Sequence, residues 1–393
     1  MIKITLKRGK EESLARRHPW IFSGAIQSSD GEPAEGDLVD VYSNDKTFLA
    51  RGHCAIGSIA IRVLSFDESE INARWWEQRI SEAMKLRQVL GLADNPETTC
   101  YRLIHGEGDN LPGLIVDIYG STAVIQTHTV GMHLARTDIS NALQAVMGER
   151  LKAVYDKSSN AIPAASGVET HDGYLWGEKD SNPVKENGHS FAANWEGGQK
   201  TGFFIDQREN RKLLGEFSAG RRVLNTFSYT GGFSVYALAG GAVSVDSVDS
   251  SERAIEAATA NMKLNFPDRG NHREIASDAF DFIRDVEPGA YDLIILDPPA
   301  FAKNHKALGN ALQGYKRLNA RAIERIAPGG ILFTFSCSQA VNPQQFRTAV
   351  FSATAIAGRN VRILHQMDQP ADHPVNIYHP EGEYLKGLVL YVE

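Results

Sequence analysis

The first part of the chain alternates between short apolar runs and turn-forming residues. β-branched and aromatic side chains dominate the runs, and Gly, Asp or Ser separates them, which is typical of short strands. The runs are DLVDVYS (37–43), TFLARGHCA (47–55) and SIAIRVLSF (58–66). Several short strands close most simply into a small barrel. From 67 to 91 the apolar positions recur at helical spacing, with acidic residues first and Gly91 last, which predicts a helix.

The next part, residues 101–185, contains both the alternating apolar pattern of strands and the spacing of apolar positions that is typical of helices. The segment 101–129 predicts two strands around a glycine-rich turn, ARTDISNALQAVM (135–147) predicts a helix, and LKAVYDKS (151–158) predicts another strand. Residues 157–190 are rich in Ser, Asn, Gly and Asp, which indicates long loops or a linker. The order strand, strand, helix, strand predicts a small α+β unit.

From about residue 200 onward, buried-type strands alternate with helices. The strand patterns are RVLNTF (222–227), AVSVDSVD (242–249), YDLIILDPP (291–299) and GGILFTFSCS (329–338). Alternation of this length predicts an α/β region with a parallel sheet covered by helices on both faces. The pattern as a whole divides the chain into 1–70, 71–187 and 188–393.

Composition narrows the class of protein. The 393 residues are 42% hydrophobic and 23% charged, as in soluble globular proteins, and the longest apolar runs are far too short to span a membrane. The N-terminus has no apolar segment typical of a secretory signal, so we expect a cytoplasmic protein without a membrane partner. The three cysteines are scattered and form no CxxC pair, so we expect neither a disulfide framework nor a metal site.

The net charge of −7 excludes a generally basic surface of the kind that coats nucleic acid. A local basic patch nevertheless lies near the start, and its members include Lys7, Arg8, Arg16 and Arg17. Taken alone, this patch is most simply a solvated surface.

A glycine turn follows the first strand of this α/β region. In NTFSYTGGF (225–233), Gly231 and Gly232 allow the backbone to approach a ligand, and the helix that follows begins with unpaired N–H groups. The turn lacks the G-x-G-x-x-G spacing of dinucleotide sites, so it does not predict a phosphate cradle. Its candidate cofactor-binding residues are Phe227, Ser228, Tyr229 and Gly231.

Aspartates follow the ends of the neighbouring strands, where an open parallel sheet binds its ligands. Asp249 stands where a carboxylate accepts both hydroxyls of a ribose, although with Glu252 it also fits a helix N-cap. Asp278 either meets an adenine edge or caps the next helix. Asp297 ends its strand because the prolines of LDPPAF cannot extend it, and Pro298 lies at the same edge. An adenosine ligand without a phosphate cradle favours S-adenosylmethionine as the cofactor.

Cys337 follows the next strand and therefore shares this edge with Asp297. A buried structural cysteine is the ordinary alternative, but the flanking serines and the strand end favour exposure to the crevice. A methyltransferase can use such a thiol, because carbon 5 of a pyrimidine is a poor nucleophile until a thiolate adds to carbon 6. A carboxyl group at Asp297 could then hydrogen-bond or protonate ring nitrogen 3.

The chain resembles a known family over nearly its whole length: the bacterial 23S ribosomal RNA cytosine-5 methyltransferases, which combine a PUA domain, a central α+β domain and a Rossmann-like methyltransferase domain. The segments that carry the resemblance are RRHPWIFSGAI (16–26), YRLIHGEGDNLPGLIVD (101–117), KTGFFIDQREN (200–210), NTFSYTGGFSVYAL (225–238), LDPPAF (296–301), TFSCS (334–338) and DHPVNIYHPEGEYLKG (372–387).

The resemblance implies roles for several residues. Cys337 would be the nucleophile, Asp297 the acid that contacts the base, and Asp249 the ribose partner. Gln207 and Arg208 match a segment that lies near the methionine end of the cofactor. The partner would be 23S ribosomal RNA or a large-subunit precursor, contacted by a PUA-like start. The residues implied in that RNA contact are Arg16, Arg17, His18 and Trp20.

Two departures and several alternatives stay open. Other RNA cytosine-5 methyltransferases carry a second cysteine where this chain has Ala300, so the base that removes the carbon-5 proton is unassigned. Residues 155–173 lack a basic stretch found in relatives. The alternatives are methylation of an exocyclic nitrogen, a non-catalytic RNA-binding assembly factor, and a uracil target. The oligomeric state is open, with a homodimer as one option.

Overall fold

The computed structural model describes residues 1–162, 166–179, 183–268, 270–302 and 305–393. The chain forms two compact units, and each is discontinuous in sequence. The first unit comprises 1–185, 193–205 and 371–382, and the second comprises 186–192, 206–370 and 383–393. The predicted boundaries at residues 70 and 187 stay predictions.

The N-terminal part of the first unit is a six-stranded sheet with strand order β2-β6-β5-β4-β1-β3. Its elements are β1 Ile2–Leu6, α1 Glu12–Ala15, β2 Trp20–Phe22, β3 Ile26–Ser29, β4 Leu38–Tyr42, β5 Phe48–Cys54 and β6 Ile59–Ser65. Alternate residues of these strands face a small core that includes Leu6, Val39, Val41 and Ile61. The predicted strands at 37–43, 47–55 and 58–66 are therefore confirmed.

The rest of the first unit is a five-stranded sheet, in the order β11-β10-β9-β8-β7, with helices packed on it. Its elements are α2 Ala73–Val89, β7 Cys100–His105, β8 Leu114–Tyr119, β9 Thr122–Thr127, α3 Val130–Leu134, α4 Arg136–Met147, β10 Ala153–Asp156 and β11 Gly173–Gly177. The helix predicted over 67–91 begins later than expected, because Asn72 caps it by accepting a hydrogen bond from the Trp75 amide at 3.1 Å.

Residues 371–382 return to the first unit from the far end of the chain. The Asp372 carboxylate accepts a hydrogen bond from the Arg102 amide at 3.0 Å, and its carbonyl oxygen accepts one from Arg87 at 2.8 Å. Arg87 is fully buried and also pairs with Asp109. A buried guanidinium needs such partners, since an unpaired buried charge is strongly destabilising. The returning segment therefore completes the polar interior of the first unit.

His53, in β5, gives the first unit a pH-dependent stability. Its ring is buried against Gly131, where an added Cβ would lie 2.2 Å from the ring, and burial lowers the pKa of His53 to about 4. An unfolded histidine takes up a proton near pH 6.5, so this stability is present above that pH and is lost as the pH falls towards 4.

We expect the change from pH 7 to pH 5 to reduce the free energy of unfolding by about 2 kcal/mol through His53 alone. Denaturant titrations followed by tryptophan fluorescence measure this, because Trp20, Trp75, Trp76, Trp176 and Trp195 all belong to the first unit. A His53→Gln variant should lose this share of the pH dependence. An equal pH dependence in the variant and the wild type would contradict the assignment.

Two short strands lie where the chain passes between the units, β12 Val184–Glu186 and β13 His189–Phe191. The second unit then alternates strands and helices. Its elements are α5 Arg208–Glu216, β14 Arg222–Thr226, α6 Gly232–Ala239, β15 Ser244–Asp249, α7 Glu252–Asn265, β16 His272–Ala276, α8 Ala279–Asp285, β17 Leu293–Leu296, α9 Leu308–Arg325, β18 Gly330–Ser336, α10 Pro343–Ala357, β19 Val361–Met367 and β20 Lys386–Val392.

These strands form a seven-stranded sheet in the order β16-β15-β14-β17-β18-β20-β19. The strands β16, β15, β14, β17 and β18 are parallel neighbours, which confirms the predicted α/β alternation. The expectation of a parallel sheet needs one correction, since β20 runs antiparallel to both β18 and β19. Strands β15 and β16 lie on one side of β14, and β17 and β18 lie on its other side, so the order of strands in the sheet changes direction between β14 and β17. Ligands of open α/β sheets bind beside such a point.

Among the described helices, none is long and apolar enough to cross a membrane.

Candidate active site

The turn after β14 has an unusual backbone. Phe227 and Tyr229 adopt positive φ angles of 56° and 44°, and Gly231 has a φ of 75°. Residues other than glycine adopt such positive φ angles at a cost of roughly 1–3 kcal/mol each, and residues with this backbone cluster at ligand sites. Gly231 is also needed sterically, because an added Cβ would lie 3.0 Å from the Cβ of Ala258. The turn therefore has the strained backbone that is typical of a ligand site, directly after β14.

Asp249, at the end of β15, holds this turn in place. One carboxylate oxygen accepts a hydrogen bond from the Tyr229 amide at 2.9 Å, and the other accepts one from the Ser251 amide at 2.9 Å. The N-cap of α7 is Ser251, whose side chain accepts from the Ala254 amide. The alternative that Asp249 itself caps α7 was therefore wrong. Since a carboxylate has about four acceptor positions, both oxygens retain capacity for ligand hydroxyls.

Asp278 caps the next helix. One of its carboxylate oxygens accepts from the Phe280 amide at 2.8 Å and from the Asp281 amide at 3.1 Å, at the start of α8. The capping interpretation is confirmed, and the contact with an adenine edge stays a prediction for this exposed side chain.

Gln207 and Arg208 lie buried at the start of α5. The Gln207 side-chain oxygen accepts a hydrogen bond from Asn210 at 2.6 Å. One turn further on, Arg211 packs against Gly232 and forms a buried pair with Glu186 at 2.6 Å. The helix that carries the predicted methionine-end residues is thus fixed against the first residue of α6, next to the glycine turn.

Cys337 and Asp297 follow two neighbouring parallel strands. Leu296 of β17 is in register with Thr334 of β18. Asp297 and Cys337, which follow these two strands, therefore lie at the same edge of the sheet. The Cys337 sulfur lies 4.0 Å from the carbonyl oxygen of Pro298, and its thiol is half-buried. Asp297 is also half-buried, and Pro298 is buried. The structure therefore brings the predicted thiol and carboxyl group to one place.

The serines beside Cys337 fix its backbone. The Ser338 hydroxyl donates to the Ala302 carbonyl at 2.6 Å, and the Ser336 hydroxyl donates to the Tyr315 hydroxyl at 2.8 Å. Burial raises the pKa of Tyr315 to about 12, so this phenol stays neutral at physiological pH. Sequence reasoning assigned no role to Tyr315 or to Lys386, whose ammonium group donates to the Ser338 carbonyl at 2.6 Å. The available signal was a lysine at the head of the otherwise apolar strand β20.

Comparison with known proteins decides the family. Residues 169–383 match the family model described as S-adenosylmethionine-dependent methyltransferase, and residues 4–66 match the PUA-like domain. Ribosomal RNA large subunit methyltransferase I from Aeromonas salmonicida is 40% identical over 393 residues, covering 98% of each chain. The chain belongs to this methyltransferase family. The resemblance stated from the sequence is thereby confirmed, together with its PUA-like and α/β methyltransferase architecture.

Solved structures agree with this assignment. A protein from Streptococcus mutans, assigned as a SAM-dependent methyltransferase, superposes with a TM-score of 0.84 at 25% identity, covering 100% of both chains. A methyltransferase structure in complex with SAH gives the same TM-score, identity and coverage. The cofactor of the family is S-adenosylmethionine, as the sequence predicted.

The turn fits this cofactor. Ser228 is buried between the residues of positive φ, and within the described part of the chain its hydroxyl oxygen has no hydrogen-bond partner. A buried polar atom without a partner costs about 1–3 kcal/mol, which a bound polar ligand would recover. Ser228 and Asp249 therefore stay the predicted partners of the cofactor in this turn, and their free acceptor positions fit a polar ligand.

Removal of the Asp249 carboxylate should weaken cofactor binding. A charge-assisted hydrogen bond contributes roughly 1.5–3 kcal/mol, so we expect Asp249→Ala to lose about tenfold or more in affinity for S-adenosylmethionine, measured by calorimetry. Asp292→Ala is the matched control. Its carboxylate also accepts from a backbone amide, that of Arg222 at 3.0 Å, but beyond the opposite ends of the strands. Unchanged affinity in Asp249→Ala would refute the placement.

The predicted RNA-binding residues fall into two groups. Lys7, Arg8, Arg16 and Arg17 are exposed. Trp20 instead donates its indole N–H to Glu107 at 2.7 Å, and its ring lies 4.3 Å from that of His379. His18 is part of the same aromatic cluster, with its ring 5.5 Å from His379. Trp20 and His18 therefore have packing roles inside the first unit in addition to the predicted contact with RNA.

Proposed function

We propose that the chain methylates carbon 5 of a cytosine in 23S ribosomal RNA through a covalent adduct with Cys337. The observation that carries this proposal is the position of the Cys337 thiol, 4.0 Å from the Pro298 carbonyl and beside the strand end that bears Asp297. Methylation of an exocyclic nitrogen requires no thiol, and it would leave this arrangement without a use.

The chemistry requires a nucleophile and an acid on opposite parts of the base. The Cys337 thiolate adds to carbon 6 of cytosine, which forms an S–C6 bond and places an electron pair at carbon 5. S-adenosylmethionine, when bound, supplies the methyl group to carbon 5. Loss of the carbon-5 proton to a base then restores the C5–C6 double bond and expels the thiolate. The thiol thus divides one difficult step into easier ones.

Asp297 would act on the other side of the ring. A carboxyl group that hydrogen-bonds or protonates nitrogen 3 draws electron density away from carbon 6 and stabilises the adduct as it forms. The strand register supports these two roles, because Asp297 and Cys337 follow the ends of adjacent strands rather than sharing one flexible loop.

The name of the relatives and the PUA-like match support large-subunit ribosomal RNA as the substrate. The exposed basic residues near the N-terminus would contact its phosphates. The pair between Arg16 and Glu12 is weak, because both side chains are more than 70% exposed, so Arg16 stays available.

A double variant, Arg8→Ala with Arg16→Ala, tests this contact. Each lost phosphate contact lowers the slope of log affinity against log salt by roughly one unit, so we expect a reduction of about two units. Filter binding to 23S RNA at several salt concentrations measures the slope. Lys263→Ala, an exposed lysine in α7, is the control. A slope equal to that of the wild type would exclude these residues from the interface.

Bisulfite sequencing of 23S RNA tests the product. RNA from cells that lack the gene should lose protection at one cytosine, and re-expression of the chain should restore it. Bisulfite reports only on cytosines, so mass spectrometry of the nucleosides from the same RNA covers the alternatives. Loss of a methylated purine nitrogen would favour the alternative reaction, loss of a 5-methyluridine would show a uracil target, and unchanged methylation of every nucleoside would favour a non-catalytic assembly factor.

A further inference from the structure

Lys386 is the first residue of β20, the antiparallel strand beside β18. The register pairs Lys386 with Ser336, and Cys337 is the next residue after Ser336. Sequence position alone would separate these residues widely. The antiparallel pairing brings the start of β20 to the same sheet edge as the proposed nucleophile.

The Lys386 side chain is buried and tied to the segment that carries Cys337. Its Nζ donates to the Ser338 carbonyl oxygen at 2.6 Å and to the Tyr384 carbonyl oxygen at 2.6 Å. The residue is 7% exposed. Both acceptors are neutral carbonyls, which orient the ammonium group but do not neutralise its charge.

A buried ammonium group gains stability from a nearby anion. Burial lowers the pKa of Lys386 to about 8, and the charge of Cys337 acts in the opposite direction, so the two groups stabilise each other's charged form. Among the described residues, two other titratable groups lie near the thiol: Asp297, on the loop after β17, and Tyr315, on α9, whose pKa responds to the charges of Cys337 and Asp297. A carboxylate at Asp297 would oppose formation of a thiolate and Tyr315 is neutral, whereas the Lys386 ammonium group favours the thiolate.

We propose that Lys386 is a positioning residue that holds the Cys337 thiol in its reactive, ionised form by means of an ammonium group fixed on the carbonyls of Ser338 and Tyr384. The inference rests on the proposed role of Cys337 as nucleophile. It supplies what that role requires, since a thiol with an ordinary pKa near 8.5 is only a few per cent ionised at pH 7.

The pH dependence of alkylation measures the ionisation of this thiol directly. The full-length protein, without added cofactor, is treated with iodoacetamide between pH 6 and pH 10, and modification of Cys337 is followed by mass spectrometry of its peptide. We expect an apparent thiol pKa below 8.5 in the wild type. In Lys386→Met it should rise by about one unit or more, which is about a tenfold loss of alkylation rate at pH 7.

Two further variants separate charge from structure. Lys386→Gln can still donate to the two carbonyls but carries no charge, so it should show the same rise as Lys386→Met. Lys263→Met, at an exposed lysine of α7, should leave the thiol pKa unchanged. Calorimetry with S-adenosylmethionine shows whether each variant retains its fold.

An ordinary thiol pKa in the wild type would overturn the inference without reference to any variant. So would an unchanged thiol pKa in a folded Lys386→Met or Lys386→Gln protein. Either result leaves the proposed function intact as long as Cys337→Ala is inactive. Conversely, an active Cys337→Ala enzyme would end the proposed covalent mechanism, whatever the thiol pKa.

Discussion

Cys337→Ala is expected to abolish methyl transfer to 23S RNA, with a loss on the order of 10⁴-fold or more in kcat, because the variant lacks the thiol that forms the proposed adduct at carbon 6. The fold and the cofactor affinity should be retained, since Cys337 is half-buried at a strand end rather than packed in the core. Transfer of a radiolabelled methyl group measures the rate, and calorimetry measures the binding.

Cys54→Ala is the matched control, since Cys54 is also half-buried but lies in β5 of the first unit. It should retain nearly full activity. RNA with 5-fluorocytosine at the target position gives a sharper test, because the adduct cannot lose fluorine as it would lose a proton. A covalent complex should therefore persist on a denaturing gel, and its formation should require both Cys337 and S-adenosylmethionine. Full activity in Cys337→Ala would rule out covalent catalysis.

Asp297→Asn is expected to reduce kcat by roughly 10²- to 10⁴-fold, the range for loss of a positioned acid or base. An amide can still hydrogen-bond to the ring but cannot transfer a proton to nitrogen 3. Affinity for S-adenosylmethionine should change much less than kcat. Single-turnover assays with 23S RNA separate the chemical step from binding.

Asp285→Asn provides the comparison, because this exposed acid at the end of α8 pairs only with its neighbour Arg284 among the contacts described for it. It should behave as the wild type. A kcat of Asp297→Asn equal to that of the control would show that the acid contributes nothing to the chemical step.

The periodicity of the chain predicted most of the second unit. Buried strands that alternate with helices give a strong local signal, and the predicted strands at 222–227, 242–249, 291–299 and 329–338 correspond to β14, β15, β17 and β18. The antiparallel direction of β20 was not predicted, because strand direction depends on pairing between distant segments. The return of residues 371–382 to the first unit has the same cause.

The candidate site shows the same limit. Asp249, Asp297 and Cys337 could be placed because each follows a recognisable strand, and strand ends share an edge. The capping alternative for Asp249 was wrong and that for Asp278 correct, since aspartate and serine are both good caps and sequence alone does not rank Asp249 against Ser251. Lys386 was missed, because its position at the head of an apolar strand is a weak signal and the register with Ser336, which brings it to the site, depends on long-range pairing.

The discontinuity of the first unit imposes an order on biosynthesis. Arg87 and Arg102 emerge from the ribosome early, yet their partner Asp372 is made only after almost the whole second unit has been translated. Until then the buried guanidinium of Arg87 lacks the Asp372 carbonyl as a hydrogen-bond acceptor, so local unfolding of the nascent first unit costs little free energy. Protease resistance of this unit should therefore appear late in translation, and a stop codon introduced before residue 371 should leave it susceptible even though its first 185 residues are present.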